Sequence, residues 1–408
     1  MDVVSANAVR AEKSFRLAVA ATMIAGACTF LNVYCTQPLL PLFRQIFHAS
    51  EIEVSLTVGA VTLSVALMAP FVGLVAESVG RKRVIVPALF AMAATTLLAA
   101  TATGLHALIF WRFMQGLFVP GVIAVIIAYI NEEFPGRTGT VMSAYVAGTV
   151  FGGFLGRFTT GMVATHWNWR AVFLVLGALD LLGAFAVRQW LPPAKNFKPG
   201  QHIFKSLADT WAHLQNYRLL AVCGMGFTVL FSLVGLFTYA NFYLDQPPFS
   251  LSPAALGSIF FVYLLGCLVT PLAGKFLDQH GFRRMILIAV GMNLAGLLLT
   301  LVPKLPAVIA GLAIFSSGIF ISQSAATVLT GRAAHRARSA AAGLYVTFYY
   351  IGGSVGAIAT GWFWLHGGWP ACVGLFVAIS FVTLGFSLLG GRAVTDKPPT
   401  SPLVDTAI

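Results

Sequence analysis

The chain has 408 residues, of which 58% are hydrophobic and only 9% charged, with a formal net charge of +12. Soluble domains of average composition carry about 25% charged residues, so there are too few charges here to cover a water-facing surface. A soluble enzyme and a disulfide-stapled secreted module are both excluded: Cys28, Cys35, Cys223, Cys267 and Cys372 all lie in apolar runs, without metal-ligand spacing.

In chain order, a basic start (Arg10, Lys13, Arg16) precedes an apolar run from Leu17 to Phe43. That run exceeds the roughly 7–15 apolar residues of a signal peptide, so it reads as a first membrane span. A span needs about 20 apolar residues, and twelve such stretches are expected, at 17–42, 52–76, 84–103, 106–130, 138–164, 170–188, 219–243, 254–276, 285–303, 306–330, 339–364 and 371–390. The longest interior charged segment, 188–218, holds Pro192, Pro193, Pro199 and Gly200 and splits the spans six and six. The expected organisation is an N-tail (1–16), a six-helix bundle (17–188), a linker (189–218), a second bundle (219–390) and a C-tail (391–408).

Charge sets the orientation. Twenty Lys and Arg fall on the side of the two tails and the linker, and three (Arg44, Arg170, Lys304) on the other; Arg112 and Arg157 lie inside spans. The positive-inside rule puts both termini and the linker in the cytoplasm. The basic excess is thus a topology signal and calls for no nucleic-acid partner. Trp111, Trp167, Trp169, Trp362, Trp364 and Trp369 near the outer ends, with Trp190 and Trp211 near the inner ends, fit the interfacial belt.

The two halves repeat each other. Tyr145-Val146, Gly152-Gly153, Gly156, Thr160-Gly161, His166 and Trp169 recur 200 residues later as Tyr345-Val346, Gly352-Gly353, Gly356, Thr360-Gly361, His366 and Trp369. Near the same offset, Gly73, Glu77, Gly80 and Arg83 recur as Gly274, Asp278, Gly281 and Arg284. Six spans separate the copies, so they share one orientation, as in transporters built from parallel repeats.

Gly73-Leu-Val-Ala-Glu77-Ser-Val-Gly80-Arg81-Lys82-Arg83 resembles the loop signature G-x-x-x-D-x-x-G-R-[KR]-[KR] of the major facilitator superfamily, with Glu77 for the usual Asp and Ser78 for the frequent basic residue. Arg112-Phe-Met-Gln115-Gly116 resembles the family's R-x-x-Q-G motif. Gly148-Thr-Val-Phe-Gly152-Gly153-Phe-Leu-Gly156 resembles the antiporter motif G-x-x-x-G-P-x-x-G of the drug:proton antiporter branch, with Gly153 replacing the Pro. Asn32-Val-Tyr34-Cys-Thr-Gln37-Pro38-Leu-Leu-Pro41 is similar to a bacterial exporter subgroup, the sugar-efflux-permease-like and YnfM-like inner-membrane proteins. The resemblance implies an all-α fold of twelve transmembrane helices in two parallel six-helix bundles. It also implies gate loops at Gly73, Glu77, Gly80, Arg81 and Arg83 and at Gly274, Asp278, Gly281 and Arg284, with Glu77 meeting the helix start near Ser339, where an anion is favoured.

By the same resemblance the first, fourth, seventh and tenth spans line the cavity, with Asn32, Tyr34, Gln37, Arg112, Gln115, Tyr239, Asn241 and Gln323 as its polar groups. None is acidic, which suits a neutral or amphipathic substrate. Gly148, Gly152, Gly153 and Gly156 offer a small face for close helix contact, for packing or for gating. Asp180 is the only acid well inside a span. An intramembrane charge is costly, and two readings stand: Asp180 carries a proton, or it neutralises Arg112 or Arg157. The expected activity is proton-coupled export of a small drug-like compound, sugar or metabolite from a bacterial inner membrane, with an importer or facilitator of the same fold as the alternative. No cofactor, metal, nucleotide or enzymatic activity is expected, and the protein is expected to be a monomer. The only Gly-Lys pair, Gly274-Lys275, precedes Phe276, so no phosphate-binding loop is present.

Overall fold

In hydrocarbon every backbone N–H and C=O must be paired within the protein, which leaves helices as the economical way for these apolar runs to cross. A computed structural model describes residues 2–194, 212–265, 269, 282–333 and 338–391, and among these no strand occurs. The first helix, α1 (Asp2–Val33), ends short of Pro38, and a 3₁₀ turn at Gln37–Leu39 leads into α2 (Leu40–Phe47). Two prolines that cannot donate to a continuing helix explain the break. Ser50 and Glu53 then form a reciprocal capping box that starts α3 (Glu51–Val79). Gly80, at φ +98°, turns the chain directly into α4 (Arg81–Ala99), a backbone angle that favours glycine.

The remaining elements are α5 (Leu105–Glu133), α6 (Thr138–His166) and α7 (Trp169–Trp190), the last capped by Asn168. The second half has α8 (Tyr217–Asp245) capped by Asn216, α9 (Pro253–Ile259) capped by Ser252, α10 (Phe282–Leu299), α11 (Leu305–Ala333) and α12 (Arg338–Gly391). Gly367 and Gly368 interrupt α12 with non-helical backbone, so it crosses twice. Among the described residues nine single spans and the two arms of α12 are long enough to cross, and the apolar Pro253–Leu265 helix stands at the start of the expected eighth span, 254–276, most of whose remainder lies outside the described residues. The third span starts at Arg81 and stops at Ala99, earlier than the expected 84–103, because Gly80 lets the basic residues form the first helical turn.

Within the first half α6 packs on α1, α3 and α4 on α5, and α7 on α4; within the second, α12 packs on α8 and α10 on α11. The halves meet where α3 lies on α12 and α9 on α6. A Cβ at Gly148, Gly152 or Gly156 would collide with the backbone of Met23, Ala27 or Leu31, and one at Gly352 or Gly356 with that of Phe227 or Phe231. The glycine motif therefore sets the α1–α6 approach and, by repetition, the α8–α12 approach. Leu67, Phe110, Leu182 and Phe381 are exposed on the outer faces, as lipid contact requires.

The basic loop after α3 is tied to its neighbours. Arg81 makes a 2.7 Å ion pair with Glu132 on α5, Lys82 donates to the Leu191 carbonyl beyond α7, and Tyr129 donates to the Pro192 carbonyl at 2.9 Å. Loop and linker start are thereby fixed to one end of the first half.

Candidate functional site

Between the halves lies a cavity of about 310 Å³, bounded by α1, α5, α6, α8, α11 and α12 and by Tyr263. At the end away from the termini the halves are sealed. Gln37 Nε2 donates to Thr238 Oγ1 at 3.2 Å, the Ala254 N–H to Thr165 Oγ1 at 3.0 Å, and the Tyr239 hydroxyl lies 3.5 Å from Ser55 Oγ. Gly361 fits against Tyr239 and Ile52, where a Cβ would clash. At the termini end the second half keeps a core of its own (Leu219, Met285, Leu329, Ala341), whereas the core shared with the first half draws Leu236, Phe260, Val308 and Trp369 from the sealed end. The cavity is thus closed at one end and open towards the termini.

Several sequence-predicted groups sit elsewhere than expected. Tyr34, Gln37 and Gln323 line the cavity, the last accepting from Tyr345 at 3.4 Å. Arg112, expected in the cavity, is fully buried behind it: Nε donates to the Thr57 carbonyl at 3.1 Å, Nη2 to the Val33 carbonyl at 2.8 Å, and Nη1 to Gln115 Oε1. Gln115 continues to Thr96 Oγ1, whose hydroxyl lies 3.2 Å from Asn32 Oδ1, and Asn32 Nδ2 donates to Asp180 Oδ2. Asn32, Arg112 and Gln115 are therefore a buried relay and not cavity wall. Tyr239 and Asn241 belong to the sealed end, with Asn241 donating to the Phe237 carbonyl at 2.5 Å.

Asp180 corrects a second expectation. No Lys or Arg pairs with it among the described residues, and its Oδ1 is buried without a hydrogen-bond partner. Among the described residues its hydrogen-bonded path to Arg112 runs through Asn32, Thr96 and Gln115. Direct neutralisation by Arg112 or Arg157 does not occur, because α1 and α4 place their polar side chains between. At the loop expected to act as a gate, Glu77 is half-buried and makes no ion pair among the described residues. Gly274, Asp278 and Gly281 lie outside the described residues, and Arg284 is exposed at the start of α10.

Arg157 is the cavity group that sequence reasoning missed. It belongs to the cavity wall, its Nε donates to Gln37 Oε1 at 2.8 Å and Nη1 to the Gly153 carbonyl at 2.5 Å. The guanidinium stacks over Tyr34, Phe260 and Tyr263 with centroid distances of 4.9, 4.6 and 4.9 Å. One signal was available: at the 200-residue offset the second half has Ala357, so a charge has been added to an otherwise repeated motif. Among the described residues no cluster of His, Cys, Asp or Glu is arranged to hold a metal.

The Major Facilitator Superfamily model matches residues 22–262 and 246–406. The chain belongs to this superfamily. An uncharacterized transporter of Buchnera aphidicola subsp. Schizaphis graminum is 32% identical over 378 residues, covering 92% of each chain. The inner membrane transport protein YnfM of Escherichia coli is 32% identical over 375 residues, 91% of this chain and 90% of that one. Among solved structures, that of a point mutant of the nucleoside transporter NupG superposes with a TM-score of 0.75 at 15% identity, covering 91% of this chain and 99% of that one. The facilitator fold is thus shared with transporters, and the protein is a multi-pass membrane transporter, not an enzyme.

Proposed function

We propose that this facilitator exports a small amphipathic molecule across a bacterial inner membrane in exchange for protons, by alternating access, as in the drug:proton antiporter branch. The observation that supports alternating access is the cavity sealed at one end and open at the end where α1 begins and α12 ends; export in exchange for protons rests on the likeness of Gly148 to Gly156 to the antiporter motif. With the basic side in the cytoplasm, the open cavity loads from within. The name of YnfM, an inner membrane transport protein, supports the location. Glu77 is the candidate gate acid: in the opposite state, closure of α3 on the start of α12 brings it to a helix N-terminus, where an anion gains roughly 0.3–2 kcal/mol. Asp180 is the candidate proton carrier.

Orientation and direction are tested separately. A reporter fused after Lys195 should read as cytoplasmic and one at Pro247 as periplasmic; the reverse pair sinks the orientation. In inside-out vesicles an acid-inside gradient should drive accumulation of the substrate, and a protonophore should abolish it. Accumulation by intact cells down an inward proton gradient establishes the importer instead.

A further inference from the structure

The chemistry of the cavity wall narrows the substrate. Arg157 is the only charged side chain among the described residues that line the cavity. A guanidinium keeps its charge at any physiological pH and carries five N–H donors. Nε and Nη1 each reach one protein acceptor, whereas Nη2 has no protein hydrogen bond among the described residues. The side chain is only 2% exposed, and no carboxylate approaches it. Burying an uncompensated charge is expensive. Three aromatic faces repay part of that cost through cation–π attraction, but they supply no negative charge.

The rest of the wall specifies the body that an anion held by Arg157 would carry. Tyr34, Tyr263, Tyr349 and Tyr350 bring phenol groups to the same wall, and phenols donate to an anion. Phe30, Ile123, Leu230, Leu233, Val234 and Phe320 make the remainder apolar and in part aromatic. Nε is held by Gln37 and one Nη1 N–H by the Gly153 carbonyl, which leaves the edge formed by the second Nη1 N–H and by Nη2 for a ligand. That edge matches a planar carboxylate, the acceptor that guanidinium binds best in a two-point contact. A volume of about 310 Å³ admits one small ring system.

We infer that the cavity takes a small organic monoanion, a carboxylate on an apolar or aromatic body, with the carboxylate on Arg157. This rests on the transport reading above and deepens it by naming the substrate class. Arg157 is then a binding residue, and its partner Gln37 also makes the hydrogen bond to Thr238 that seals the far end, so the anion sits beside the closing contact.

The experiment measures binding to the purified full chain in detergent with no gradient, so its outcome is independent of direction and of proton coupling. The probes are 1-naphthoate and its neutral isostere 1-naphthamide, followed by calorimetry. The acid should bind about tenfold or more tighter than the amide, the gain expected of a charge-assisted two-point contact. Arg157→Gln should bring the acid-to-amide affinity ratio down to about one, whatever the amide affinity itself becomes. Should Arg157→Gln not fold, Arg157→Lys decides: a single ammonium should cut the acid-to-amide ratio at least about threefold. The inference is overturned if the wild type binds the acid no more tightly than the amide, whether both bind or neither does. It is equally overturned if the ratio survives unchanged in the variant. Either result leaves the vesicle assay of export untouched, and failure of that assay leaves a measured acid preference standing.

Discussion

Asp180→Asn is expected to leave a folded protein and to abolish proton movement coupled to substrate. The Asp180 carboxyl is 1% exposed, takes one hydrogen bond from Asn32, and has no cation in contact among the described residues. An ionised carboxylate at this depth costs at least about 2.5–3.5 kcal/mol, whereas one bound proton removes the charge altogether. A site that is neutral when sealed and ionised when wet is what a proton-coupled cycle requires. The amide in Asp180→Asn can still accept from Asn32 but has no proton to release. Proteoliposomes carrying a pH-sensitive dye should therefore show background flux, while counterflow exchange of substrate continues. Normal proton-coupled transport by this variant removes Asp180 as the carrier. The relay adds a control. Arg112 holds the Thr57 and Val33 carbonyls in a fully buried setting, and hydrogen bonds to a charged group contribute about 1.5–3 kcal/mol each. Arg112→Gln should then lower thermal stability in the wild type and in Asp180→Asn alike. If it instead restores stability to Asp180→Asn, the two residues are a charge pair after all.

Gly152→Leu and Gly352→Leu should each eliminate folded protein from the membrane. A first side-chain carbon at Gly152 would already overlap Ala27 backbone atoms, and one at Gly352 those of Phe227. The obstacle is main chain, which cannot swing aside as a flexible side chain can. Overpacking of a tight interior commonly costs about 1–3 kcal/mol for a few added methylenes, so Gly152→Ala should destabilise by that much and the Leu variants by more. Gly73→Ala is the matched control, since nothing lies within 4 Å of its built Cβ. Yield and thermal unfolding of the four variants give the comparison. Wild-type yield from Gly152→Leu would show that α1 and α6 do not approach as described, and would return the motif to a gating role.

The sites of these substitutions show how far the linear chain could be read. The apolar runs carried the crossings, because the hydrocarbon thickness fixes the length of a helix whatever its neighbours are. The break at Gly367-Gly368 and the capping box of Ser50 and Glu53 are local backbone chemistry that the reading of the chain did not use, although its span limits at 52, 364 and 371 fall beside them. The 200-residue repeat carried the relation between the halves, since two copies of one pattern bury the same faces. For Arg112, Arg157 and Asp180 the sequence supplied depth in the membrane but not azimuth. Depth follows from counting residues at about 1.5 Å each. Azimuth depends on how each helix is rotated against partners that are distant in the chain. Packing turned Arg112 away from the cavity onto the Val33 and Thr57 carbonyls and turned Arg157 into it, and it set Asn32, Thr96 and Gln115 between Arg112 and Asp180. The chain on its own determined a twelve-span facilitator with two like halves. Only the tertiary structure decided which buried charge lines the cavity, because that choice is made by contacts between α1, α4, α5, α6 and α7 and not within any one of them.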